Sequence, residues 1–174
     1  KNREQALSYY QKAVNSSKES YGNTHPDYAK TLVYLGDFYR TENTLDKALT
    51  NYQTALQALE PDFASSNPEE NPNISAVYSS IWTIEAIRNK AAVFQQKSQI
   101  ENPQHYLQLA LASYELVLQN IEFRRQQYTN DESKHYILNY VYDTYESAIE
   151  VSFKSYQLTQ DKHYLQKTFQ LIEA

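Results

Sequence analysis

Histidines are the first residues in this chain whose chemistry would go beyond packing. There are four, and His105, His135 and His163 each precede a Tyr and an aliphatic residue. Three converging imidazoles would make a zinc site, which needs them on one helix face or on facing helices. They stand 30 and 28 residues apart, so no two share the i, i+4 spacing of a helical face. Each reads as the opening residue of its own helix, and no metal is expected. His25, before Pro26, reads as a loop residue. Glu69-Glu70 pairs two carboxylates, but acid–base pairs work across a cleft from separate elements, and these are adjacent in a polar stretch. Arg124-Arg125 reads as a complement to a helix C-terminus rather than an anion site. Asn15-Ser16-Ser17 and Asn73-Ile74-Ser75 match the glycosylation sequon and read as chance matches. Cysteine is absent, which removes disulfides, thiolate ligands and a Cys nucleophile. No Gly-rich phosphate loop, Gly-x-Ser-x-Gly or His-Glu-x-x-His is present. The sequence carries no enzyme signature, and no cofactor is expected.

The elements that would position these residues are helices. The chain has 174 residues, two glycines and five prolines, and its last 71 residues contain neither. So few breakers leave little room for a sheet with tight turns. The net charge is −5, the wrong sign for a general nucleic-acid binder. No apolar run approaches the length of a membrane span. With no secretory signal, the expected location is cytoplasmic. Methionine is absent as well, so the chain is expected to be a piece of a longer protein.

A repeat organises the first third. Ala6, Leu7, Tyr10, Gln11 and Ala13 recur as Ala48, Leu49, Tyr52, Gln53 and Ala55, an offset of 42 residues. Small, aromatic and small residues at i, i+4 and i+7 share one helical face and let a neighbouring helix approach. Tyr28, Leu32, Leu35 and Tyr39 predict a helix opened by Pro26, and a third runs from about Leu45 to Leu59. Residues 61–73, with three prolines and three acids, read as a linker, either a mobile hinge or an ordered surface connection. Ile74, Val77, Ile81, Ile84, Ile87, Ala91 and Phe94 predict a helix from near Ile74. Leu107 through Tyr128 predict one reaching about Gln127, and Leu138, Tyr142, Tyr145, Ile149 and Tyr156 another. Tyr164 begins a last one. His105-Tyr106-Leu107-Gln108 echoes His163-Tyr164-Leu165-Gln166 at an offset of 58. Most of the 17 tyrosines fall on these stripes and are expected to fill the core. Trp82 sits beside the stripe, consistent with either a binding surface or a helix buried on three sides.

These residues resemble the tetratricopeptide repeat (TPR). Leu32, Leu35-Gly36 and Tyr39 match its first helix and Ala48, Tyr52 and Ala55 its second; Pro61 lies one residue beyond the usual place. The 42-residue offset and Tyr21-Gly22-Asn23-Thr24-His25-Pro26 look like the longer, kinesin-light-chain type of repeat. Ala91 with Phe94, then Ala110, Tyr114 and Val117, follow the pattern loosely; Phe153 and Thr168 depart from it. The resemblance implies an all-α, right-handed superhelix of about seven antiparallel helices. Residues 1–60 would be regular TPR units, with 1–20 the second helix of a cut unit, 61–73 a linker, and 74–174 degenerate units with longer helices. Residues 74–174 also resemble the helical arm of bacterial proteins that carry a caspase-like CHAT protease domain. The carrying residues are Ile84 to Ala91, His105-Tyr106-Leu107, Tyr142 to Tyr156, and Tyr164-Leu165 leading to Phe169.

In this family, first helices line a concave face that takes peptides. The resemblance places Lys30, Val33, Tyr34, Asp37, Arg40 and Thr41 there from one helix, and Glu85, Arg88, Asn89, Ala92, Gln95 and Gln96 from the next. Asp37 stands where the branch that holds a terminal carboxylate has an amide, so that ligand is not expected. The face is mixed in sign and rich in amides, which suits a polar or extended peptide. The expected function is non-catalytic recognition of a protein or peptide partner, as the sensor or docking arm of a protein with a CHAT protease. The alternative is a scaffold that self-associates through its repeat surface. Neither nucleic acid nor membrane is an expected partner.

Overall fold

The structure is a computed structural model. It describes residues 2–74, 80–127 and 131–174, with the backbone alone at 124–127 and 131–140. The described residues form seven helices and no strand: α1 (Asn2–Tyr21), α2 (Pro26–Thr41), α3 (Leu45–Leu59), α4 (Ile81–Lys97), α5 (Pro103–Gln127), α6 (Asp131–Thr159) and α7 (Lys162–Glu173). They belong to two compact units, and the division falls within α4, between Lys90 and Ala91.

In the first unit α2 opens on a built cap. His25 is its N-cap: its Nδ1 accepts from the Asp27 N–H at 3.1 Å, and Pro26 follows at the first turn. His25, expected just ahead of a helix opened by Pro26, is thus its cap residue. Only residues 42–44 separate α2 from α3, a connection short enough to make the two antiparallel neighbours. Their contact is built on small residues. Ala29, Ala48 and Ala55 are fully buried, and the Tyr52 ring of α3 lies against Gly36 of α2. A Cβ at Gly36 would come within 2.5 Å of that ring.

The unit does not stop at residue 60. Gln53 Nε2 donates to the Ser65 carbonyl at 2.8 Å, and Gln57 Nε2 donates to the Ala64 and Ser65 carbonyls. Pro72 is buried. The segment expected as a linker is thus fastened along α3, because its backbone carbonyls need donors and two α3 glutamines supply them. The next helix begins at Ile81, not near Ile74. Ser80 sets this start: its Oγ accepts from the Trp82 N–H at 3.0 Å and its carbonyl from Thr83 and Ile84. Ile74 lies in the irregular segment, and Val77 lies outside the described residues.

In the second unit, α5 packs on α6 and α6 on α7 around Val93, Phe94, Leu107, Ala110, Leu111, Tyr114, Val117 and Leu118. The buried stripe of the described part of α6 is Thr144, Ala148, Val151 and Ser155, not the tyrosine stripe expected from the sequence; Tyr142 is exposed. Small residues face inward here, which lets helices approach closely. The expectation of tyrosine as core filler holds in part: Tyr39, Tyr106, Tyr145, Tyr156 and Tyr164 are half-buried. Among the described tyrosines Tyr28, Tyr52 and Tyr114 are buried, whereas Tyr9, Tyr10, Tyr21, Tyr34 and Tyr142 are exposed. Asp161 caps α7 by accepting from the His163 N–H at 2.9 Å. None of the described helices is long and apolar enough to cross a membrane.

Candidate functional site

Of the twelve positions expected on a recognition face, nine belong to the first unit and Ala92, Gln95 and Gln96 to the second; Val33 is a correction, because it is fully buried in the core. Lys30, Tyr34, Asp37 and Arg40 recur at three- or four-residue steps along α2 and share its outer face. Glu85, Arg88 and Asn89 stand on the first half of α4. Gln95 and Gln96 belong to the second unit. There Gln95 donates to Glu150 at 2.9 Å and accepts from the Tyr114 hydroxyl at 3.2 Å.

Asp37 is the centre of the cluster. Its Oδ1 accepts from the Tyr52 hydroxyl at 2.7 Å and from Asn89 Nδ2 at 2.9 Å. Burial raises its carboxyl above the ordinary value, opposed by the Tyr52 hydrogen bond and by the charges of Arg40 and Arg88. Burial and the neighbouring carboxylate likewise raise the Tyr52 phenol. Glu85 Oε1 accepts from Arg88 Nη2 at 3.0 Å, and burial raises the Glu85 carboxyl against that pairing. Both acids of the face are therefore engaged within it.

Its cations are placed differently. The Lys30 ammonium lies 5.3 Å from the Trp82 ring centroid and 5.9 Å from that of Tyr34, with no carboxylate in ion-pair range among the described residues. The two rings meet edge to face at 5.6 Å. Trp82, undecided from the sequence, is half-buried beside Tyr34, which is 42% exposed. The Arg40 Nε is buried without a hydrogen-bond partner. Lys30, Arg40 and Arg88 against Asp37 and Glu85 leave the face one positive charge in a chain of net charge −5.

Behind the face lies a residue the sequence did not single out. Lys90 is fully buried, and its Nζ donates to Gln53 Oε1 at 2.6 Å and to the Glu70 carbonyl at 2.7 Å. Burial holds its ammonium down to about 7, with the charge of Glu70 acting the other way. The one available signal was its place on the α4 stripe, three after Ile87 and four before Phe94.

The second unit carries a cleft of about 500 Å³, lined among others by Leu118, Phe123, Tyr145 and Leu171, with the Glu115–Lys167 ion pair (2.8 Å) beside it. His105 and His163 are exposed at the starts of α5 and α7, each ring packed edge-on against the following tyrosine. His135 and Arg124-Arg125 lie outside the described side chains. No group of three metal-ligating side chains occurs among the described residues.

The fold is all-α helical repeat, and the family comparison agrees for α1 to α3: the tetratricopeptide repeat model matches residues 1–60. Repeats of that kind generally mediate protein–protein interaction. No curated protein matches the chain.

Proposed function

We propose that the first unit captures an extended, acidic segment of a partner protein on the face formed by α2 and the start of α4. The observation that carries this is the uneven pairing of charges. Asp37 and Glu85 are engaged inside the face, while Lys30 stands over two aromatic rings with no carboxylate in ion-pair range among the described residues. An acidic side chain passing over α2 would supply that partner, and Tyr34 and Trp82 would flank its stem. Reversing Arg40 or Arg88 is a poor test, because both lie among the cluster's buried carboxylates and would disturb the fold. Lys30 and Tyr34 are the clean positions. Lys30→Glu and Tyr34→Ala are each expected to weaken capture of a library-selected acidic peptide about tenfold, with stability moved by no more than about 0.5 kcal/mol in the first and by about 1 kcal/mol in the second, which loses the Trp82 contact. Capture unchanged in both variants would remove the face from the account. Selected peptides without acidic enrichment that still compete there would keep the face and overturn the ligand class.

The finer form of this reading takes up the resemblance of residues 74–174 to the arm of CHAT proteins: partner capture would control a caspase-like protease in the bacterial cytoplasm. A His–Cys caspase-like domain encoded in the same gene supports it; its absence from the full gene removes it.

Self-association is the second reading, favoured by the outer face of α7, where Phe169 and Ile172 are 57% and 60% exposed. Under it, light scattering over a dilution series shows a mass that rises with concentration and returns to the monomer in Phe169→Glu/Ile172→Glu. A constant monomer mass excludes it.

A further inference from the structure

Two consecutive residues on α3 and two on α4 divide the work of holding α4. Tyr52 and Asn89 both donate to Asp37 on the recognition face. Their chain neighbours Gln53 and Lys90 meet behind it, where Lys90 Nζ donates to Gln53 Oε1 and to the Glu70 carbonyl. The same Gln53 amide donates through Nε2 to the Ser65 carbonyl. One amide and one amine therefore tie α3, the 61–74 segment and α4 at a single buried point. Adjacent residues on a helix share one backbone, so a shift of α4 that draws Lys90 from this point also moves Asn89 relative to Asp37.

We propose that Lys90 is a latch that fastens residues 61–74 to α3 and α4 and holds Asn89 in the Asp37 cluster, so that release of the segment and rearrangement of the recognition face occur together. Any effect on partner capture rests on the reading of that face as a ligand site; the coupling itself needs no ligand. Among the described residues no element supplies Lys90 with a carboxylate partner in direct contact. From α3 it meets the neutral Gln53. From the 61–74 segment it meets the Glu70 carbonyl, and the Glu70 carboxylate acts only at longer range, held below its ordinary value by Ser65 and Asn67. On the recognition side, Asp37, Arg40, Glu85 and Arg88 form their own cluster around Asn89.

An amine in such a site prefers to be neutral, and release into water restores its affinity for a proton. Lys90 is held at about 7 when latched, against 10.5 for a free lysine. Release takes up a proton between these values, so it becomes up to about tenfold easier for each pH unit lowered from about 10 to 7, and levels off below.

Nuclear magnetic resonance of the whole chain from pH 6 to 8.5 tests this without a ligand. The backbone amides of 61–74, the Asn89 side-chain amide and the Trp82 indole are expected to titrate with one midpoint near 7, and Lys90→Met is expected to abolish all three. A titration of the segment that leaves Asn89 and Trp82 unmoved overturns the coupling. One that persists in Lys90→Met overturns the assignment to Lys90. Should Lys90→Met fail to fold, Gln53→Leu keeps the amine and removes its α3 partner. It is expected to speed hydrogen exchange at least tenfold at the 61–74 amides and the Asn89 side chain together. Faster exchange in the segment alone overturns the latch.

Discussion

Gly36→Ala is expected to destabilise the first unit by about 3 kcal/mol, at the upper end of what overpacking by one methyl costs. The added Cβ would lie 2.5 Å from one Tyr52 ring carbon and 2.8 and 2.9 Å from two more. The ring has nowhere to retreat. Tyr52 is fully buried, its hydroxyl is tied to Asp37 at 2.7 Å, and Ala48 and Ala55 on the same helix face are also fully buried. The methyl must therefore part α2 from α3 or break the Asp37 cluster. Gly22→Ala is the internal control. Nothing lies within 4 Å of its Cβ position, and only its φ of +87° opposes a side chain, at about 1 kcal/mol. Urea unfolding of the two variants measures the difference. A loss at Gly36 no larger than at Gly22 would mean that the α2–α3 contact is looser than described.

Stability is also expected to rise with pH above neutrality, and Lys90 is the cause. Its ammonium titrates at about 7 in the folded chain and at the ordinary 10.5 when unfolded. Below about 7 both states hold the proton and the contribution is level. Between the two values the unfolded chain holds a proton that the folded chain lacks, so raising the pH favours folding by about 1.4 kcal/mol per unit. From pH 7 to 9.5 this amounts to about 3 kcal/mol, an upper figure. Lys90→Met keeps the apolar stem and removes the proton, so the difference between wild type and variant isolates the effect of this one amine. Parallel stability curves for the two proteins would show that Lys90 is charged when folded.

The helices were largely legible because spacing alone decides which face of a helix can be buried. Tyr28, Leu32 and Leu35 mark α2, and the packing of Gly36 against Tyr52 follows from a residue without a side chain between an aromatic and two alanines. The start of α4 was not legible, since Ile74 keeps the apolar rhythm and the local cap at Ser80 overrides it. On α6 the tyrosines keep a rhythm too, yet Thr144, Ala148, Val151 and Ser155 turn inward, because close helix approach selects for size as well as polarity. The surface of α2 and the start of α4 could be enumerated from the sequence as positions, Val33 wrongly among them, but not as a set of charges. Asp37 read as an outward acid, whereas its carboxylate is bound by Tyr52 and Asn89. Lys90 was hidden for the same reason: a lysine reads as solvated unless its partners are known, and Gln53 and the Glu70 carbonyl lie 37 and 20 residues away.

The central claim is that the face of α2 and the start of α4 is where a partner is held. Trp82 is the sole tryptophan, so its indole reports from that face alone. The decisive measurement is a chemical-shift map of the labelled chain titrated with a library-selected acidic peptide. The predicted footprint is the Trp82 indole with Lys30, Tyr34, Arg40 and Asn89, saturating together and weakening with added salt. A saturable footprint on the cleft of α5 to α7, with the Trp82 indole unmoved, would contradict it.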